Sequence, residues 1–208
     1  MLKGFEIPVV MLAIGAAIWG AFFLYDGANG KALAEDTPGP NLVIEVAASD
    51  GTPKGALVID LLPNVAPAHV ERMIALAKSG AYDGVVFHRV IDEFMAQTGD
   101  VQFGKQGGDI GGAGTGASDM PDLKAEFSNV PFKLGTVGMA RSSSPDSANS
   151  QFFIMYGPAK HLNGEYTVVG RLIDGLATLN DIKLGDKAQN GLVVDPDYMA
   201  KVTVVDEE

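Results

Sequence analysis

From residue 41 onward the chain is a succession of short β-prone runs broken by turn residues, and helical spacing appears in only two places. Runs rich in Val, Ile, Leu, Phe and Thr fall at 41–48, 55–62, 85–91, 94–98, 134–140, 150–156, 166–173 and 199–205. The first two, separated by Gly51 and Pro53, read as an antiparallel hairpin. Between the second and third lies APAHVERMIALAKSG, which puts Val70, Met73, Ile74 and Ala77 on one face, opens beside Pro67 and stops at Gly80. A second, shorter helix is expected at about 175–184. Most strands are joined by turns, whereas a parallel sheet needs crossover helices between strands. The pattern therefore favours a mainly β fold, a closed eight-stranded antiparallel β-barrel capped by two helices, over a doubly wound α/β sheet.

The segment before residue 41 obeys different rules. Residues 7–25, IPVVMLAIGAAIWGAFFLY, form a run of 19 without a charge, enough as a helix to cross roughly 30 Å of hydrocarbon. Lys3 precedes this apolar helix, and Ala32 and Ala34 follow it in the small-x-small pattern that signal peptidase reads. Two outcomes stand open: a signal peptide cut after Ala34, or a signal anchor retained in the cytoplasmic membrane. A buried core helix suits the length less well. Either outcome places the rest of the chain in the periplasm or on its face of the membrane. The expected organisation is 1–34 as signal or anchor, 35–40 as linker and 41–208 as one folded domain.

Composition excludes several kinds of chemistry. With 26 Asp plus Glu against 15 Lys plus Arg, the net charge is -11, which disfavours nucleic acid and anionic membrane surfaces as partners. There is no Cys, hence no disulfide and no thiolate nucleophile or ligand. The three histidines, His69, His88 and His161, show no close metal-ligand spacing, and neither a metal nor a cofactor is expected. GKQGGDIGGAGTG at 104–116 lacks the Gly-Lys-Ser/Thr ending of a phosphate-binding loop and reads as a flexible surface loop. RSSSPDSANS at 141–150 has no G-x-S-x-G elbow and reads as a turn-rich loop, and Asn163-Gly164 reads as a hairpin turn.

FHRVIDEFMAQTGD, residues 87–100, raises a sharper question, because Arg89 lies in a strand-like run. The plain explanation is an ion pair with Asp92, Glu93 or Asp100. The rest of the chain points elsewhere. That stretch, then GTVGMARS at 135–142, SQFFIMY at 150–156 and LNGEYTVVGRLIDG at 162–175, resemble in order and spacing the motifs of the cyclophilins, the prolyl isomerase family. The resemblance runs over most of residues 40–206.

The resemblance implies peptidyl-prolyl cis-trans isomerase activity on proline-containing polypeptides, here exported proteins as they fold, within an eight-stranded barrel. It makes Arg89 the catalytic arginine. Phe94, Met95, Phe153 and Leu162 then line the pocket for the proline ring, and Gln97 and Gln151 bond around Arg89 and the substrate backbone. Ala140 and the main chain of Arg141 hold the residue before proline, and His161 and Tyr166, the latter where many members have His, join the substrate-binding set. Departures are visible too. Asp92 and Glu93 replace a common Pro-Gly, Thr98 a common Gly, and Arg141 a frequent Asn. His161 stands where many members have Trp, which implies weak cyclosporin binding. A proline-peptide binding or holdase-like module with little turnover is the alternative.

Overall fold

The computed structural model describes residues 39–206, so the apolar helix expected at 7–25 and the boundary at Ala34 lie outside the described residues. The first hairpin joins β1 (Asn41–Ala47) to β2 (Pro53–Leu61), with Asn41 opposite Asp60 and Ala47 opposite Pro53. Helix α1 (Pro67–Lys78) follows, then β3 (Val85–Val86), β4 (Arg89–Ile91), β5 (Met95–Thr98), β6 (Thr136–Met139), β7 (Phe152–Met155), β8 (Val168–Asp174), the short α2 (Leu176–Asp181) and β9 (Tyr198–Val205). They make one sheet of nine antiparallel strands in the order β3-β9-β1-β2-β8-β6-β7-β5-β4. Among the described residues no helix is long and apolar enough to cross a membrane.

The strands number nine where eight runs were expected, because the run 85–91 divides at Phe87 and His88. Val85 and Val86 pair with β9, while Arg89 to Ile91 pair with β5. Between them the Phe87 N–H still reaches the Asp197 carbonyl at 2.8 Å, and the His88 carbonyl already accepts from Val193 at 3.2 Å. The chain thus passes from one ladder to another within two residues. The Asn163-Gly164 pair is a turn but no hairpin. It follows a 3-10 turn at Lys160–Leu162 and leads to β8, and the Asn163 side chain accepts from the Phe132 N–H at 2.9 Å.

Strand alternation gives the sheet two apolar faces. In β7, Phe152 and Ile154 enter the large core, together with Leu42, Ile44, Leu57, Ile59, Val137 and Met139. Phe153 and Met155 point the other way and join Met95, Phe132, Leu162 and Val168 in a second cluster. Helix α1 closes the large core with Val70, Met73, Leu76 and Ala77. Its N-terminus has no cap from the preceding residue; the Glu126 carboxylate takes the Ala68 and His69 N–H groups at 3.2 and 3.1 Å instead. Glu126 also accepts from the buried His69 ring at 2.6 Å. Desolvation pushes this carboxyl up, but its bonds to His69 and Ala68 outweigh that and leave its pKa below the usual value.

The 104–116 segment, expected as a flexible surface loop, is tied to a fully buried carboxylate. Asp100 accepts from Gln102 and Phe103 at one oxygen, at 3.1 and 2.9 Å, and from Gly114 and Gly116 at the other, at 2.7 and 2.8 Å. Four backbone donors converging on one buried charge fix the far end of this loop beside β5.

Candidate active site

One row of directly opposed residues crosses four strands on the face of the second cluster. Arg89 in β4 is opposite Gln97 in β5, Gln97 is opposite Phe153 in β7, and Phe153 is opposite Gly138 in β6. A slip of one residue in any pairing would turn part of this row into the large core, so the fold's hydrophobic alternation also sets the row. Gly138 gives the row its depth: a side-chain carbon there would stand 2.6 Å from both Phe132 Cε1 and Phe153 Cζ. The absent side chain lets the Phe132 and Phe153 rings stack at 5.7 Å as a floor.

Over this floor lies a cavity of about 140 Å³ lined by Arg89, Phe94, Met95, Gln97, Ala140, Arg141, Phe153, Leu162 and Tyr166. Nine of the eleven residues singled out from the sequence therefore meet at one place. The other two stand next to it. Gln151 lines a neighbouring groove that shares Gln97, Ala140 and Arg141 with the cavity. His161 is exposed and stacks on Phe94, with ring centroids 5.8 Å apart.

Arg89 has no ion pair among the described residues, which sets aside the alternative of a bond to Asp92, Glu93 or Asp100. Its Nη1 donates to Gln97 Oε1 at 3.2 Å and lies 3.8 Å from Met95 Sδ. Asn190, more than ninety residues further along the chain, accepts from the opposite edge of the guanidinium. Partial burial lowers the guanidinium pKa, the Tyr166 hydroxyl opposes the shift, and an arginine so placed stays charged. The two glutamines continue the network with one polarity: Gln97 Nε2 donates to Gln151 Oε1 at 3.0 Å, and Gln151 Nε2 to the Gly116 carbonyl at 2.9 Å. The chain of amides ends on the loop that Asp100 anchors.

Local backbone explains the rim. Phe94 follows a tight turn in which its N–H returns to the Ile91 carbonyl at 3.0 Å, and Glu93 adopts φ 62 where a glycine is the natural choice. The replaced Pro-Gly thus keeps its turn at some strain. Thr98 is fully buried, and its hydroxyl donates to the Val86 carbonyl at 2.9 Å, linking β5 to β3. The side chain of Arg141 makes contacts of its own. Its guanidinium lies 4.5 Å from the centroid of the Tyr166 ring and donates to the Glu165 carbonyl through Nε at 3.2 Å and Nη2 at 3.0 Å. The arginine and the tyrosine form one wall of the cavity.

Behind Arg89, the His88 ring is buried against Gly114, and neither nitrogen has a partner of hydrogen-bonding geometry. Burial pushes its pKa down to about 4; Asp100 and, weakly, the Val86 backbone work against this, and Arg89 works with it.

With this geometry in view, similarity to known proteins is specific. Residues 43–204 match the family described as cyclophilin type peptidyl-prolyl cis-trans isomerase/CLD. A probable peptidyl-prolyl cis-trans isomerase of Brucella suis is 53% identical over 152 residues, which span 72% of this chain and 78% of the relative. Among solved structures, a Cryptosporidium parvum cyclophilin type isomerase determined in the presence of the dipeptide Ala-Pro superposes with a TM-score of 0.65 at 27% identity, covering 81% of this chain and 99% of that one. A cyclophilin of Hirschia baltica shares the fold, with a TM-score of 0.63 over 78% of this chain and 73% of that one, at 23% identity.

Proposed function

The chain belongs to the cyclophilin-type peptidyl-prolyl cis-trans isomerase family, and from that membership we propose that Arg89 and the cavity beside it carry the reaction. Rotation about an X-Pro bond faces a barrier of about 20 kcal/mol from amide resonance, and no covalent bond has to break. In the twisted transition state the prolyl nitrogen becomes pyramidal and carries a localised lone pair. A fixed donor near that nitrogen binds the twisted form better than either planar form, which lowers the barrier. The observation that carries the assignment is a charged arginine without a carboxylate partner at the edge of an apolar cavity. An arginine used as structural glue would be neutralised by a buried acid.

Phe94, Met95, Phe153 and Leu162 take the proline ring, and the wall of Arg141 and Tyr166 closes the cavity. An apolar surround also strips water from the carbonyl and favours the less polar twisted state. Gln97 and Gln151 orient Arg89 and meet the substrate backbone, and Ala140 and Arg141 border the path of the residue before proline. Accelerated cis-trans exchange of a short X-Pro peptide, read by NMR line exchange at catalytic enzyme concentration, tests this reading; exchange at the uncatalysed rate would defeat it.

The substrate class is proline-containing polypeptide, and the 19-residue uncharged run with Lys3 before it supports export, with clients among exported proteins. Fusing residues 1–40 to a reporter that works only outside the cytoplasm tests this: activity supports export, and a soluble cytoplasmic reporter contradicts it. The sheet order begins and ends on β3 and β4, which only Phe87 and His88 separate, and this supports a closed barrel whose eighth strand is the divided run 85–91. His161 in place of an indole removes a donor and apolar area, so cyclosporin should bind weakly, and His161→Trp should tighten it.

A further inference from the structure

Asn190 grips Arg89 along one whole edge of the guanidinium. Arg89 Nε donates to the Asn190 main-chain carbonyl and Nη2 to its Oδ1, both at 3.0 Å. One residue supplies both acceptors because its backbone is left-handed, with φ 54 and ψ 34, a conformation asparagine tolerates better than most residues. Asp186 builds the loop that holds this shape. Its carboxylate accepts from the Ala188 N–H and the Gln189 side-chain amide, each at 2.8 Å, its carbonyl accepts from Gly191 at 2.8 Å, and its N–H donates to Leu192 at 2.9 Å. The loop is bonded to β4 on both sides of Asn190: the Val90 N–H donates to the Gly191 carbonyl at 2.8 Å, and the Gly185 N–H to the Val90 carbonyl at 2.9 Å.

The partners of the guanidinium share a property. The acceptors on Gln97 and Asn190 and the sulfur of Met95 are all neutral. A carboxylate at position 190 would leave the main-chain carbonyl to Nε and take the Nη2 N–H with a stronger bond, so holding power alone does not call for an amide. A neutral clamp differs in leaving the positive charge undiminished. Four of the five N–H groups are committed, which leaves one on Nη2 for a ligand.

We propose that Asn190 is a positioning residue for the isomerase reaction, fixing the plane of Arg89 with uncharged acceptors so that its remaining N–H meets the prolyl nitrogen at full charge. This rests on Arg89 being the donor in that reaction. Asn190→Gly keeps the left-handed backbone and its carbonyl but deletes Oδ1, and Asn190→Asp keeps the geometry and adds a charge. Both are measured for kcat and KM by NMR exchange at varied peptide concentration, with thermal unfolding alongside. The glycine variant is also made in the Arg89→Ala background. The expected result is a fall in kcat of about tenfold for Asn190→Gly and at least as much for Asn190→Asp, with KM within about twofold and the melting temperature of the glycine variant little changed. In the Arg89→Ala background Asn190→Gly should cause no further loss. Unchanged kcat in either variant, or an equal added loss in the Arg89→Ala background, would overturn the proposal. Near-normal turnover of Arg89→Ala alone would remove its premise and the assignment of Arg89 together.

Discussion

Gly138 and Phe153 face each other across the ladder of β6 and β7, so close that a Cβ at position 138 would stand 2.6 Å from Phe153 Cζ. Gly138→Ala therefore has to displace either the Phe153 ring or its stacked neighbour Phe132, which overlies the same position. Overpacking of this kind costs about 1–3 kcal/mol. Because Phe153 floors the cavity proposed to take the proline ring, KM for an X-Pro peptide should rise as the melting temperature falls. An alanine variant with wild-type melting and wild-type KM would show that the floor is not packed as described.

Arg141 and Tyr166 make the second test, since the guanidinium covers the ring at 4.5 Å and is held by the Glu165 carbonyl. Arg141→Ala should lower kcat/KM by several-fold, roughly the 1 kcal/mol of a partly exposed cation–π contact, through a loosened tyrosine wall. Arg141→Lys should restore only part of it, because an ammonium lacks the planar face that stacks. Peptide kinetics on the two variants decide the point; equal, wild-type values for both would return Arg141 to a main-chain function.

His88 sets a pH dependence of stability. The unfolded chain binds a proton at its ordinary pKa of 6.5, and the folded protein only at about 4. Between these values the unfolded state holds more protons, so acidification favours unfolding. The loss is absent above pH 6.5, grows as pH falls, and is complete below about 4, where it amounts to about 3 kcal/mol. His88 is only 5% exposed, so solvent screening reduces this little. Urea unfolding across pH 4–7 should show the slope in the wild type and a flatter line in His88→Gln. Parallel lines would contradict the assignment.

Much of this site was legible because four motifs in order resemble those of the cyclophilins, and that resemblance named Arg89, Phe94, Met95, Gln97, Ala140 and Phe153. Strand alternation within 94–98 and 150–156 agrees with it, but only the pairing of the two strands puts Gln97 opposite Phe153. What was not legible depends on tertiary partners. Asn190 announces itself only as half of an Asn-Gly turn, and nothing near it in sequence points to an arginine about a hundred positions earlier. The split of 85–91 comes from competition between β9 and β5 for one run of chain, which periodicity does not record. The Gly-rich 104–116 segment looked free because its anchor, Asp100, is a single carboxylate whose four donors assemble only on folding. Asn163-Gly164 is a genuine turn, but sequence does not say whether the flanking segments pair. The side chain of Arg141 stacks on a residue in another loop, which spacing along the chain does not reveal.

The central claim is that Arg89 stabilises the twisted amide, and Arg89→Ala tests it most directly when X-Pro isomerisation and thermal unfolding are measured on the same protein. Removing one preorganised donor from a transition-state site costs about 3 to 4 kcal/mol, so kcat/KM should fall by roughly two to three decades. Melting should change far less, because the partners left behind are the neutral amides of Gln97 and Asn190 and no stranded buried charge. Arg89→Lys should stay well below wild type, since an ammonium keeps the charge but not the planar fork. An Arg89→Ala protein that turns over nearly as fast as wild type while its melting temperature collapses would contradict the account and leave the arginine a structural residue.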